Sequence, residues 1–177
     1  MDAKSEHNKS DFREWLKRTQ REDRSSGDAS RFLTGPTSDG DGWVGVKDSG
    51  PVTSASLPKF GALWFRKEVS LSARQTGSAQ VLQFGPTAQF DQVYWNGTLV
   101  GERAVDSFTG LISVRHYLIP PALLKEGVNQ LAVRIFAPAE PPGFSWFPSV
   151  GTTKMLGGWM AKSEYALPPL DPAATKA

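Results

Sequence analysis

The stretch FDQVYWNGTLVGE, residues 90–102, decides how the rest of the chain is read. It runs as a strand into Asn96-Gly97 and leaves as a second strand. Asn-Gly is the favoured pair of a two-residue type I′ turn, because both central residues need positive φ. The stretch therefore reads as a β-hairpin. A hairpin alone carries no function, so its meaning depends on its flanks.

The flanks repeat the pattern. In LWFRKEVSL (63–71), Leu63, Phe65, Val69 and Leu71 share one face with Lys67 as the exception, while Trp64, Arg66, Glu68 and Ser70 share the other. That period of two is expected of a half-buried strand. AQVLQF (79–84) reads as a strand ending at Gly85-Pro86, and RHYLIP (115–120) stops at a double proline that cannot continue a ladder. VNQLAVRIF (128–136) alternates Leu131, Val133 and Ile135, and LGGWMA (156–161) reads as a final strand. ALLKEG (122–127) suits a single helical turn. Short strands at this spacing, with no helical pattern between them, indicate an all-β, antiparallel β-sandwich over 43–165.

Residues 1–42 differ. They are dense in charge of both signs, and Phe12, Trp15 and Leu16 at i, i+3, i+4 mark the narrow apolar stripe of a short N-terminal helix near 11–24. Asp11 and Glu14 resemble a capping box, and Glu14 with Arg18 is a favourable i,i+4 pair. So thin a stripe needs another surface to hold it. TGPTSDGDG (34–42) reads as a Gly-rich linker, and the Pro- and Ala-rich tail 166–177 as disordered.

Composition excludes several function classes. Twenty Lys plus Arg against 18 Asp plus Glu leave a formal net charge of +2, without the concentrated basic face of a nucleic-acid binder. With no cysteine, disulfides, thiol nucleophiles and cysteine-based zinc sites are absent. No apolar run approaches the roughly 20 residues that span a bilayer, and the hydrophilic N-terminus lacks a signal peptide's apolar core. Neither a cofactor nor a metal is expected: SDGDG (38–42) only weakly imitates a calcium loop.

LWFRKEVSL, LQFGP, FDQVYWNGTLVGE, RHYLIPPALLKEGVNQLAVRIF and LGGW, in that order, resemble the β-sandwich domain of bacterial sialate O-acetylesterases. A broader kinship is with the sugar-binding domains of β-galactosidase and β-glucuronidase-type glycoside hydrolases. The resemblance implies a galactose-binding-like jelly roll appended to, or inserted in, an SGNH-type hydrolase domain that carries the chemistry. It implies a domain of a larger periplasmic or secreted enzyme whose signal lies outside this chain. Family members tend to carry acidic residues where this chain has PTAQFD (86–91), which retains Asp91 alone.

The residues themselves point away from catalysis. No Gly-Asp-Ser or Asp-x-x-His block is present, His7 lies in the charged lead-in, and His116 sits inside a strand next to Arg115 and Tyr117 in an RxY pattern that reads as structural. Asp91, Glu102 and Asp106 are close in sequence but read as solvated or amide-capping carboxylates rather than a glycosidase pair. Trp64, Trp95 and Trp159 are expected to pack. PPGFSWFPSVG (141–151) sets Phe144, Trp146 and Phe147 in one loop, which can plug the sandwich, dock on the hydrolase domain or contact sugar directly. Arg103, Asp106 and Arg134 are candidate polar companions. Two functions follow: a non-catalytic accessory domain of an esterase acting on O-acetylated sialic acid or related glycans, or an autonomous carbohydrate-binding module.

Overall fold

The computed structural model describes residues 3–25, 27–87, 89–107 and 113–173. Among them are helices α1 (Ala3–Arg18), α2 (Ser30–Leu33) and α3 (Ala73–Thr76). The strands are β1 (Val44–Val46), β2 (Gly50–Pro51), β3 (Gly61–Leu71), β4 (Gln80–Thr87), β5 (Phe90–Trp95), β6 (Thr98–Arg103), β7 (Ser113–Ile119), β8 (Gly127–Ala137), β9 (Gly143–Phe144), β10 (Ser149–Val150), β11 (Thr153–Lys154) and β12 (Trp159–Ala166). A six-stranded sheet in the order β1-β12-β3-β8-β5-β6 faces a four-stranded sheet β11-β10-β4-β7, with β2 and β9 as a separate pair. All pairings are antiparallel, as an all-β sandwich requires.

The alternation in β3 and β8 puts Leu63, Phe65, Val133 and Ile135 between the sheets, with Val93 and Trp95 of β5 and Leu82 and Phe84 of β4. Each such side chain contributes about 1.5–3 kcal/mol on burial. Trp64, Trp95 and Trp159 are all buried, as expected. The hairpin turn has Asn96 at φ 48° and Gly97 at φ 82°. Asn96 does more than turn the chain: its Nδ2 donates to the Leu123 carbonyl and to Asn129 Oδ1, both at 2.9 Å, and its Oδ1 accepts from the Gln130 amide at 2.8 Å. The turn is thereby tied to β8 and to the 3-10 turn at Pro121–Leu123, where the sequence suggested a helical turn.

Four expectations are corrected. The N-terminal helix spans Ala3–Arg18 rather than 11–24, so Asp11 is interior and caps nothing. Side-chain pairs Lys9–Glu6 and His7–Asp11 lie in its upstream turns, and Gln20 at φ 54° ends it early, with Arg21 N donating to Leu16 O and Gln20 N to Lys17 O as in a Schellman cap. β4 runs through Gly85-Pro86 to Thr87 by way of a register shift after Phe84. The tail is engaged at its start: Leu167 is 5% exposed and its amide bonds to Phe60 O, while residues 174–177 lie outside the described residues.

The fourth correction matters most. The six-stranded sheet is not half-buried, because the lead-in covers its outer face. Phe32 of α2 stacks on Trp64 at 5.0 Å, Trp43 is 2% exposed, and Phe12 of α1 packs on Phe90 at 5.7 Å. Ala62, Trp64 and Arg66 on the outer side of β3 are consequently as buried as the core side.

Gly61 opens β3 at φ 126°, and a Cβ there would fall 2.2 Å from the Tyr165 carbonyl, whereas a Cβ on Gly97 would meet nothing within 4 Å. Gly61→Ala is expected to cost about 3 kcal/mol through overpacking against backbone, and Gly97→Ala about 1 kcal/mol through its left-handed φ. Urea unfolding of both variants checks this; equal losses would contradict the steric explanation.

Candidate functional site

Three of the sequence-derived residues come together. Arg103, Asp106 and Arg134 line one cleft of about 250 Å³ with Asp23, Gln92 and Glu102. The aromatic loop contributes nothing to its lining.

Arg134 projects from the outer face of β8 and is 4% exposed. Its Nη1 and Nη2 donate to the two oxygens of Asp23, and its Nε to Glu164 Oε2, each at 2.7 Å. Trp64 Nε1 donates to the same Glu164 oxygen at 2.7 Å, and the Tyr165 hydroxyl donates to Asp23 at 2.6 Å. Burial opposes the Asp23 charge, yet hydrogen bonding and charge from Arg134, with the Tyr165 bond, hold the carboxyl below the usual range. Burial likewise opposes the Arg134 charge, but Asp23 and Glu164 raise its pKa above the ordinary guanidinium value. Arg134 is thus the latch of the lead-in. Its partners Asp23 and Glu164, and the Tyr165 that bonds Asp23, escaped sequence reading, since pairs 111 and 30 residues apart leave no local pattern.

Asp91 faces the other way, into the sandwich, and is 4% exposed rather than solvated. It accepts from Arg115 Nε at 2.7 Å and from the Tyr117 hydroxyl at 2.5 Å. Arg115 also donates to Gln89 O at 2.6 Å and to Ser113 O at 2.8 Å, and Arg103 Nη1 donates to the Ser113 hydroxyl. The RxY pair therefore clamps β7 of one sheet to β5 of the other. Burial pushes the Asp91 carboxyl up, against the pull of Tyr117 and Arg115, and pushes the Tyr117 phenol up as well.

The other two acids line the same cleft as Asp91 but have different partners. Glu102 accepts from Gln92 Nε2 at 3.1 Å, and Asp106 pairs with Arg13 of α1 at 2.6 Å. The Arg13–Asp106 pair is solvent-exposed and worth little. His116 lies exposed on the outer face of the four-stranded sheet opposite Gln83, and among the described residues no serine hydroxyl bonds to it. Among the described residues no group of three or more His, Cys, Asp or Glu side chains is placed to hold a metal.

The aromatic loop divides. Phe144 in β9 is 2% exposed and packs on Trp159 at 4.9 Å, Phe65 at 5.0 Å and Phe84 at 5.5 Å, plugging the sandwich. Trp146 and Phe147 remain 55% and 49% exposed. They are fixed between that anchor and β10, which pairs with β4.

No family model matches the chain, and no curated protein matches it. Among solved structures, a β-D-mannosidase from Dictyoglomus thermophilum shares 27% identity over 42% of this chain and 9% of its own, with TM-score 0.35. A Ruminococcus gnavus β-glucuronidase shares 24% over 49% of this chain and 14% of its own, with TM-score 0.39. An uncultured Clostridium sp. β-glucuronidase shares 16% over 64% of this chain and 20% of its own, with TM-score 0.43. The match thus spans a fifth or less of each enzyme's length. The three are a β-mannosidase and two β-glucuronidases; none of them is a sialate O-acetylesterase.

The latch sets an acid dependence. The folded pKa of Asp23 lies below its unfolded value near ~3.9, so its stabilisation is complete above that value and is lost as pH falls through the folded one. Asp91, with its raised pKa, has the opposite sign and favours the fold as pH falls through its folded value. Asp23→Asn is expected to cost about 2 kcal/mol at pH ~6 and to remove the loss of stability below pH ~4, which should persist in Asp91→Asn. Urea midpoints across that range check the sign.

Proposed function

We propose that this chain is a non-catalytic accessory β-sandwich of a glycan-acting enzyme, presenting Trp146 and Phe147 to a partner surface. The observation that supports this is the division of the 141–151 loop. Its first aromatic is driven into the core, while the next two stand in water on a segment with little freedom to hide them. Burying each would contribute about 1.5–3 kcal/mol, and a loop already held at both ends loses little entropy on binding.

The partner in this reading is the hydrolase domain of the same parent. Its finer form, a sialate O-acetylesterase with an SGNH-type domain acting on O-acetylated sialic acid or related glycans outside the cytoplasm, rests on the sequence resemblance. A second reading, an autonomous carbohydrate-binding module, is favoured by the exposed Trp146 ring, since indole faces stack on the apolar faces of sugars.

One pair of titrations separates them. For the docking reading, the ¹⁵N-labelled chain is expected to bind the adjoining hydrolase domain, with Trp146→Ala plus Phe147→Ala weakening association at least tenfold and neutral and acidic sugars giving no saturable shift. Saturable sugar shifts centred on the Trp146 indole would favour the module instead. Binding to neither would overturn both.

A further inference from the structure

A separate polar cavity of about 390 Å³ opens on the outer side of the six-stranded sheet, where residues 35–37 cross β3. Its lining includes Thr37, Arg66, Lys67, Glu68 and Gln130. Arg66 is 4% exposed, and its guanidinium lies 5.2 Å from the centroid of the Trp43 ring. Nη1 donates to the Thr34 carbonyl at 3.2 Å. The Gln130 amide satisfies both neighbours only when oriented so that its nitrogen donates to Leu33 O and its oxygen accepts from Arg66 Nε and Nη2.

Every one of these partners is neutral. Among the described residues Arg66 enters no ion pair, whereas Arg115 and Arg134, equally buried, are both neutralised by carboxylates. Arg21 also lacks a carboxylate, but it clamps the Pro138 and Pro168 carbonyls and does not line this cavity. Glu68 stands exposed on the rim, beyond ion-pair distance of Arg66. Lys67 alternates to the core-side face of β3, where its ammonium is held by the Leu156 and Gly157 carbonyls with Asp48 nearby.

A guanidinium has five N–H donors, of which three are engaged here by neutral acceptors. It is held in one plane, removed from water and short of a counter-ion beside an open polar space. Arg in that setting matches the paired oxygens of an oxyanion better than any other side chain.

We propose that this cavity binds the oxyanion of a small molecule, a carboxylate or a sulfate group, with Arg66 as its counter-ion. Thr37 completes the site, and Glu68 weakens it by repulsion. The site is independent of the aromatic loop and of any glycan reading.

The test is a ¹H–¹⁵N titration of the whole chain with sodium acetate and, separately, sodium sulfate, at ionic strength held constant with chloride. The Arg66 Nε–H and Trp43 indole N–H resonances are read. Saturable shifts with acetate alone identify a carboxylate ligand, with sulfate alone a sulfate-type ligand, and with both a general oxyanion site. Glu68→Gln is expected to tighten binding roughly two- to fivefold by removing a nearby like charge, and Arg66→Gln to abolish it. Absence of saturation with both anions, or no tightening in Glu68→Gln, overturns the proposal even if Arg66→Gln fails to fold.

Discussion

Arg134 stands on the outer face of a six-stranded sheet among Trp64, Tyr94 and Phe136, a place where an unpaired guanidinium would be severely penalised. Asp23 and Glu164 remove that penalty, and only Asp23 comes from outside the sandwich. The charge on β8 thereby dictates that the lead-in crosses here and in one register. Once Asp23 is placed, Arg21 upstream reaches the Pro138 and Pro168 carbonyls. Downstream, Phe32 and Trp43 cover Trp64 and Arg66. A segment that reads as appendage becomes a third layer, and the central strands can be apolar on both faces.

The interior makes a parallel use of charge. Asp91, Arg115 and Tyr117 join the two sheets, with Gln89 and Ser113 taking up the remaining guanidinium donors. Paired in this way, the groups that would attract attention as acid–base candidates are consumed by structure. What the fold leaves available is different in kind: two exposed aromatics fixed on a loop, and a buried cation, Arg66, that lines a cavity with only neutral partners.

Local sequence alone determined the longer strands, because a period of two in 63–71 and 128–136, a type I′ pair at Asn96-Gly97 and a proline stop at Pro120 are local signals, whereas the short β1, β2, β9, β10 and β11 carry no such pattern. It also determined that Trp64, Trp95 and Trp159 pack, since large apolar surface at strand positions has few other outlets. Helix bounds were less legible: α1 starts early in a polar segment with i,i+3 and i,i+4 side-chain pairs and stops at a non-glycine residue in the left-handed region, neither of which shows as apolar periodicity.

Tertiary structure alone decided the fate of the polar residues. Arg134 and Arg66 look alike in sequence, each an arginine on the polar side of an alternating strand, yet one is neutralised by Asp23 and Glu164 and the other is not. Likewise Phe144, Trp146 and Phe147 are indistinguishable as members of one aromatic loop until the pairing of β9 with β2 sends the first inward. The reason is range: hydrophobic period and turn chemistry act over a few residues, whereas burial and charge pairing depend on segments as much as 147 residues apart that only the folded chain brings together.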